Sequence, residues 1–268
     1  AAVSSYIDRP LTFDDLSEMI ADVQTLYQSA GIVTAQPILP PQTLDNGVLR
    51  IALVEASIDQ VEIQGLDRTS PAFLRSTISL VPGEQPDFEQ IERDLRIYEM
   101  VHDITPTIAF RPGTTQGTTT AIIIGEEPNP VKLTFSLDNF GPAATGRVRA
   151  TAFGRWASVT GIRDTLTFSL QGSEEAKSAS LGYTRPVGTS GGRLVIAGSY
   201  SDASVLTAPI TGVTVLSETR SGSLGYRQPF AVGPASAWFV DVSLQAEHSK
   251  SRVSGVTFAD VDLYDLFV

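Results

Sequence analysis

The strongest constraint on the fold is an alternation of apolar and polar side chains that runs through residues 131–268. Leu133 and Phe135 alternate with lysine and threonine, and the pattern returns in later segments, for example the one that begins at Trp238. Because neighbouring side chains of a β-strand point to opposite faces, each segment predicts a strand with one apolar and one polar face. A soluble β-sandwich buries the apolar face between two sheets, whereas a membrane β-barrel turns it toward lipid. The two-residue period alone is compatible with both the β-sandwich and the β-barrel.

Three features of this half favour the barrel. The alternating segments are about 10–14 residues long, which suits tilted strands that cross a bilayer. Short turns separate them, as in a meander of hairpins, and the octapeptide Ser180–Val187 is echoed by Ser223–Phe230. Aromatic residues lie near the segment ends, where a barrel has its interfacial girdles, namely Tyr183, Tyr226, Phe230 and Trp238.

Composition excludes several other classes of protein. The 268 residues include 30 acidic and 19 basic side chains, for a formal net charge of −11, which disfavours nucleic acid as a partner. The absence of cysteine excludes disulfides and thiolate metal sites. No run approaches about 18 consecutive apolar residues, so no transmembrane helix is expected. The acidity lies in residues 1–130, which have 19 acidic and 7 basic side chains, so the two halves differ in composition.

The acidic half, residues 1–130, is predicted to contain two copies of one small α/β unit. Residues 57–127 predict the order β-α-α-β-β, with Asp87 as the cap of the second helix. Residues 1–56 predict only the last helix of that order, which starts with a capping box at Thr12, and the last two strands. Together with a β region at 131–268, these units give three predicted domains. The predicted elements are the strands Val33–Leu39 and Val48–Glu55 in the first unit and, in the second, the strand Ile58–Gly65, a helix from Pro71 to about Leu80, a helix after Asp87, and the strands Thr105–Arg111 and Thr118–Gly125.

Residues that could carry catalytic or metal chemistry are sparse. His102 follows a predicted helix, where a structural role near the helix end is expected. His248 adjoins Glu247 and Ser249, but no orienting third group is visible in the sequence, so we assign no catalytic, cofactor-binding or metal residue. The pairs Glu126-Glu127 and Glu174-Glu175 are expected to be solvated turns.

The β-α-α-β-β order of residues 57–127 resembles a polypeptide-transport-associated (POTRA) domain. The segments Leu39–Leu44 and Gly47–Glu55 resemble the signature of the first POTRA domain in two-partner secretion transporters of the hemolysin secretion/activation type. In the second half, Asp138–Gly141 with Thr145-Gly146, then Gly161–Leu166, then Tyr183–Gly188 resemble barrel motifs of the family in order and in spacing.

The resemblance implies a fold, a location and partners. The fold is α+β POTRA domains followed by an antiparallel membrane β-barrel segment, about half of a sixteen-stranded barrel. The location is the bacterial outer membrane, with the POTRA domains in the periplasm. The protein is expected to be no enzyme and to need no cofactor, and its partners are expected to be a secreted exoprotein client and outer-membrane lipid, with no nucleic acid.

The same resemblance assigns two sets of site residues. In the family's mode of action an extended client adds a strand to a POTRA sheet. Pro106 near the start of a strand suits a sheet edge, so the predicted client-binding residues are Thr105, Thr107, Ile108, Ala109 and Phe110. Three arginines of the polar face are predicted to face the barrel lumen, namely Arg147, Arg149 and Arg155. Two other functions remain open: an outer-membrane protein assembly factor of the same superfamily, and a soluble two-domain binding protein with a β-sandwich.

Overall fold

The structure is a computed structural model that describes residues 3–7, 9–29, 35–40, 42, 47–115, 117–205 and 213–268. The chain divides into two compact units. The first contains Ala1–Gly65, Ile78–Glu92 and Pro106–Gly125, and the second contains Leu66–Thr77, Arg93–Thr105 and Glu126–Val268. None of the helices in the described residues combines the length and the apolarity that a membrane-crossing helix requires.

The chain begins with a helix and a two-stranded ribbon. A short 3-10 helix at Ser4–Tyr6 precedes helix α1, Phe13–Ser29, and strands β1, Ala35–Ile38, and β2, Ala52–Glu55, pair antiparallel. The predicted capping box is present, because the Asp15 amide donates to Thr12 Oγ1 at 3.2 Å and the Thr12 amide donates to Asp15 Oδ2 at 2.7 Å.

Strand β2 is shorter than the predicted Val48–Glu55, and one side chain explains the difference. The amide group of Gln42 donates to the Arg50 carbonyl and accepts from the Arg50 N–H, both at 2.8 Å. The side chain therefore takes the place of a neighbouring strand at Arg50, and regular pairing starts only at Ala52. The turn residue Asn46 of the predicted hairpin lies outside the described residues, while Gly47 has the positive φ of 72° that the turn prediction requires.

The next elements follow the predicted order β-α-α-β-β. They form a three-stranded sheet in the order β3-β5-β4, in which β3 runs parallel and β4 antiparallel to the central strand β5. The cap of the second helix is confirmed, since the Gln90 amide donates to Asp87 Oδ1 at 3.0 Å. The elements are β3, Ser57–Gln64; α2, Pro71–Thr77; α3, Phe88–Val101; β4, Thr107–Pro112; and β5, Thr118–Ile124.

The remaining residues form one antiparallel sheet of eight strands. The strands follow one another in sequence order from β6 at one edge to β13 at the other, which is the predicted meander. Within the described part of the chain these two edge strands do not pair with each other. The strands are β6, Val131–Asp138; β7, Arg149–Ala157; β8, Thr165–Gly172; β9, Ala176–Val187; β10, Gly192–Ser204; β11, Val215–Val232; β12, Ala237–Val253; and β13, Val256–Phe267.

The register sorts the side chains of this sheet into an apolar face and a polar face. Paired residues lie on the same face. One continuous row of the apolar face is Val131, Trp156, Leu166, Tyr183, Ile196, Leu224, Leu244 and Leu266. The neighbouring row of the polar face is Lys132, Arg155, Thr167, Gly182, Ala197, Ser223, Gln245 and Asp265.

No second layer covers the apolar face within the described residues. Phe135 is 77% exposed and Leu137 is 76% exposed, and most large apolar side chains of the other seven strands are exposed as well. A β-sandwich would bury this face in a dry interior. The soluble sandwich that the alternation had left open is therefore excluded for this sheet.

Candidate functional site

Strand β4, the predicted client-binding strand, lies at an edge of the three-stranded sheet. No described strand pairs with its outer side. Thr107, Ile108, Ala109 and Phe110 all belong to it. Thr105 does not, because the ladder starts after Pro106, which has no N–H to donate, and Thr105 belongs to the other compact unit. Thr105 therefore lies outside the edge strand, and client binding by the five predicted residues stays a prediction.

The hydrogen-bond pattern shows which main-chain groups of β4 point toward β5 and which point away from it. The Gly113 N–H donates to the Thr118 carbonyl at 2.9 Å, so positions 113, 111, 109 and 107 direct their main-chain groups toward β5. The alternate residues Ile108 and Phe110 direct theirs outward. Pro112 also occupies an outward position, where its missing donor breaks no bond of the sheet.

The edge is supported from both faces of the sheet. On one face Phe110 packs edge-to-face against Phe88, with ring centroids 5.5 Å apart. On the other face Arg111 forms an ion pair with Glu62 of β3, across the central strand. An incoming strand would therefore meet a rigid template rather than a mobile loop.

A single carboxylate holds the hairpin that connects β4 and β5. Asp59 accepts hydrogen bonds from the Thr114 amide at 2.7 Å, the Thr114 hydroxyl at 2.9 Å and the Thr120 hydroxyl at 2.9 Å. The bond from the Thr114 amide is the main reason why the pKa of Asp59 falls to about 2. Asp59 therefore ties the far end of the edge strand to β3.

Two of the three predicted lumen arginines are engaged on the polar face of the large sheet. Arg149 pairs with Asp138 of the neighbouring strand at 3.0 Å, and Arg155 lies 3.3 Å from Asp103, just after helix α3. Arg147 lies before β7 and is exposed. Whether the three line a lumen stays a prediction, since it depends on closure of the barrel.

The turn between β7 and β8 contains site residues that sequence reasoning missed. Arg163 is a buried arginine that bonds to Asp103 and to Glu127, and Asp164 is fully buried beside it. Glu127 had been predicted to lie in a solvated turn, and this is wrong, because its side chain is only 6% exposed. The segment Gly161–Leu166 was recognised as a family motif, which was the available signal, but its partners about 40 to 60 residues away have no local signature.

The two histidines do not form a reaction centre. The ring of His102 packs against Tyr98, with centroids 4.4 Å apart, and its burial is the main reason why its pKa falls to about 3. His248 contacts Asp262 at 2.8 Å, while the next residue, Ser249, points to the opposite face of the strand. His248 and Ser249 therefore cannot act together as base and nucleophile.

Comparison with known families assigns both parts of the chain. The family described as POTRA domain, ShlB-type, matches residues 1–56, and the family described as haemolysin secretion/activation protein ShlB/FhaC/HecB matches residues 117–259. The Heme/hemopexin transporter protein HuxB of Haemophilus influenzae is 22% identical over 75% of this chain and 36% of its own length. The outer membrane transporter CdiB of Dickeya dadantii is 22% identical over 70% of this chain and 34% of its own length. The chain thus spans about a third of the curated relatives it matches.

Solved structures show the same fold. CdiB from Escherichia coli superposes with a TM-score of 0.66 at 18% identity, over 99% of this chain and 51% of that chain. BamA from Haemophilus ducreyi superposes with a TM-score of 0.56 at 14% identity, over 96% of this chain and 52% of that chain. The predicted fold, POTRA domains followed by part of an outer-membrane β-barrel with the POTRA domains in the periplasm, is confirmed. Because the second family matches more than half of the 268 residues, the chain belongs to the haemolysin secretion/activation protein family, the group that the sequence motifs had indicated.

Proposed function

We propose that the protein carries out two-partner secretion, in which the POTRA domains bind an unfolded exoprotein in the periplasm and the barrel conducts it to the cell surface. The observation that carries this proposal is the eight-stranded meander. One face carries a continuous apolar band, which no second layer covers within the described residues, and the opposite face is lined mainly by charges and hydroxyls. In a membrane barrel these faces meet lipid and an aqueous passage, respectively.

The two sheet edges indicate that further strands complete the wall. Strands β6 and β13 present unpaired main-chain groups along their outer sides in the described structure. Lipid cannot satisfy such groups, so a sheet of this kind spans a membrane only as part of a closed barrel. We therefore propose that this sheet acts as part of a complete barrel and does not transport a client by itself.

Client capture is assigned to the free edge of β4. The outward N–H and C=O groups of Ile108 and Phe110 can pair with any extended chain, because main-chain bonds do not depend on the client's side chains. A transporter needs this tolerance, since successive segments of one client must bind in turn. Thr107, Ala109 and the neighbouring exposed side chains then provide the limited specificity that pairing alone lacks.

We infer no catalytic chemistry, no resident cofactor and no nucleic-acid partner for this protein. The family is one of transporters, and the net charge of −11 opposes binding to nucleic acid. Outer-membrane lipid is its environment, in contact with the apolar face. The likeness to BamA concerns the fold alone and carries no argument for barrel assembly as the activity.

A release assay tests the proposal. The full-length protein is expressed in a bacterium together with a candidate exoprotein chosen from its gene neighbourhood, and the exoprotein is quantified in the medium and in the periplasm. We expect release that depends on the transporter, with unchanged levels of unrelated outer-membrane proteins. Exoprotein retained in the periplasm, together with reduced levels of other barrels when the gene is deleted, would instead establish an assembly factor.

A further inference from the structure

The turn that joins β7 to β8 is bonded to residues far away in the sequence. In this turn Gly161 has a φ of 85° and Arg163 a φ of 61°, although an arginine has no intrinsic preference for the left-handed region. Such a conformation persists only where surrounding contacts impose it. The contacts of Arg163 therefore show which segments of the chain this turn holds in place.

The guanidinium group of Arg163 bridges two carboxylates inside the second compact unit. Its Nε donates to Asp103 Oδ1 at 2.9 Å, and its Nη1 donates to Glu127 Oε1 at 3.3 Å. The side chain of Arg163 is only 2% exposed. Asp103 follows helix α3 and Glu127 precedes β6, so one side chain joins three separate segments of the chain.

Main-chain bonds attach a fourth segment to the same turn. The Ser70 N–H, just before helix α2, donates to the Gly161 carbonyl at 2.7 Å, and the Ser158 hydroxyl donates to the Arg68 carbonyl at 2.9 Å. Glu127 in turn accepts from the Arg68 amide at 2.8 Å and from the Thr69 hydroxyl at 2.5 Å. The segment before α2 is thus fixed from both sides.

The neighbouring Asp164 anchors the turn to the sheet. It is fully buried and accepts hydrogen bonds from the Thr160 amide at 2.9 Å and from the Tyr183 hydroxyl of β9 at 2.8 Å. The side chains of the consecutive residues Arg163 and Asp164 therefore contact different parts of the structure. Asp164 holds the turn on the strands, and Arg163 holds the helical segments on the turn.

The charges of this cluster balance. Arg155 on the polar face approaches the second oxygen of Asp103 at 3.3 Å, so two guanidinium groups meet two carboxylates. Burial opposes ionisation of Asp103, but the hydrogen bond and the charge of Arg163 outweigh it and hold the pKa of Asp103 below its usual range. Asp103 is therefore ionised at neutral pH, and loss of Arg163 leaves its carboxylate without the main partner of its charge.

We propose that Arg163 is a positioning residue that fixes the C-terminal end of helix α3 and the segment before β6 against the β7–β8 turn. Because Arg155 also reaches Asp103, the end of α3 is held at the polar face of the sheet. The consequence for transport rests on the proposed function: a client that moves along the polar face passes a helix end whose place Arg163 sets. An arginine is needed, since its planar fork can bond to two carboxylates at once, whereas lysine presents a single point charge.

A distance measurement tests this role directly. The chain has no cysteine, so spin labels can be attached to Glu99→Cys on α3 and Thr134→Cys on β6 of the full-length protein in detergent. Pulsed electron paramagnetic resonance then gives the distribution of distances between helix and sheet. We expect a narrow distribution for the parent and a clearly broader one for Arg163→Met. The matched control is Arg149→Met, which removes an ion pair of the same sheet that touches no helix, and it should leave the distribution narrow.

Two further variants separate positioning from simple charge burial. The triple variant Asp103→Asn, Glu127→Gln, Arg163→Met removes the buried guanidinium group together with both of its carboxylate partners and leaves the charge of Arg155, whose side chain is 34% exposed. We still expect a broad distribution. A narrow distance distribution in the triple variant would overturn the proposal. The broadening in Arg163→Met would then be caused only by the carboxylates that this variant leaves unpaired. Arg163→Lys keeps the positive charge, and we expect a broad distance distribution for it as well. Folding of each variant is judged by heat modifiability on gels. If Arg163→Met does not fold, Arg163→Lys replaces it in the test. A narrow distribution in a folded Arg163→Met or Arg163→Lys would equally overturn it.

The release assay links position to transport. At equal amounts of folded protein in the outer membrane, Arg163→Met should release less exoprotein than Lys177→Met, which removes an ion pair between β9 and β10. Equal release by the two variants, with a broadened distance in Arg163→Met, would show that the fixed helix end does not matter for transport. A parent protein that releases no exoprotein would instead refute the proposed function and leave the distance result standing.

Discussion

The edge strand β4 gives a sharp test of client capture, because its outward and inward donors can be told apart. Ile108 directs its N–H to the free side, so Ile108→Pro removes one donor from the edge without removing a bond to β5. Ile108→Ala is the matched control, since it removes a similar part of the half-buried side chain and keeps the donor. The difference between the two variants isolates the main-chain group.

The expected size of the effect follows from the number of bonds lost. One hydrogen bond contributes about 0.5–1.5 kcal/mol net, which corresponds to an increase in Kd of about 2- to 13-fold. The proline ring also occupies the space where the client strand would lie, so the upper part of this range is expected. Ala109→Pro removes an inward donor instead, and it should destabilise the hairpin itself.

Fluorescence anisotropy of a labelled exoprotein segment, titrated with the full-length protein in detergent, measures the affinity. Thermal unfolding of each variant checks that β4 is intact. Ile108→Pro should bind more weakly than Ile108→Ala while unfolding at a similar temperature. Equal affinities of the two variants, both folded, would refute capture by this edge and leave the client with another binding site on the POTRA domains.

Four further predictions concern stability. The pKa of Asp59 is lowered to about 2 from an ordinary 3.8, so its stabilising contribution is present above about pH 4 and is lost as the pH falls through about 2. Circular dichroism in an acid titration should show that Asp59→Asn loses this part of the pH dependence. Gly65→Ala should destabilise strongly, since a β-carbon would lie 2.1 Å from the Gly125 carbonyl oxygen at a φ of 73°. Gly47→Ala, with a φ of 72° and no atom within 4 Å of the added carbon, should cost only the backbone penalty of about 1–2 kcal/mol. Leu74→Ala empties a fully buried site in α2 and should lower the free energy of unfolding by about 2–5 kcal/mol, measured by denaturant titration.

The features that the sequence predicted well depend on local geometry. Period-two alternation is a property of each strand alone, so the two faces of the large sheet follow from residues such as Leu133 and Lys132 without any partner strand. Helix caps are equally local, which is why Thr12 and Asp87 were recognised with their partners three residues later. Motif order added the assignment to a family, which no single pattern could support.

The features that escaped prediction depend on distant contacts. Glu127 looks like one of two adjacent acidic residues in a breaker-rich linker, and only the folded chain brings Arg163 to it across 36 positions. The start of β2 could not be predicted because Gln42 competes with the strand ladder through its side chain. In both cases the deciding partner lies outside the sequence window in which a strand or a turn is recognised.

The prolines of the strands illustrate how local and distant information combine. A proline cannot donate to a ladder, so the sequence predicts that each lies at a strand end or at an edge. This rule predicts that Pro186 and Pro229 lie at the ends of their strands; β9 ends one residue after Pro186, whereas β11 continues for three residues beyond Pro229. Pro186 lies beyond the last β8 pairing at Thr184, and Pro229 lies beyond the last paired residue of β10 and beside a bulge. Each strand therefore continues past its proline along a single neighbour. A proline cannot donate a hydrogen bond to the strand on one of its sides, which the sequence predicts. Whether a neighbouring strand extends far enough to need that bond depends on the length of that strand, which only the fold shows.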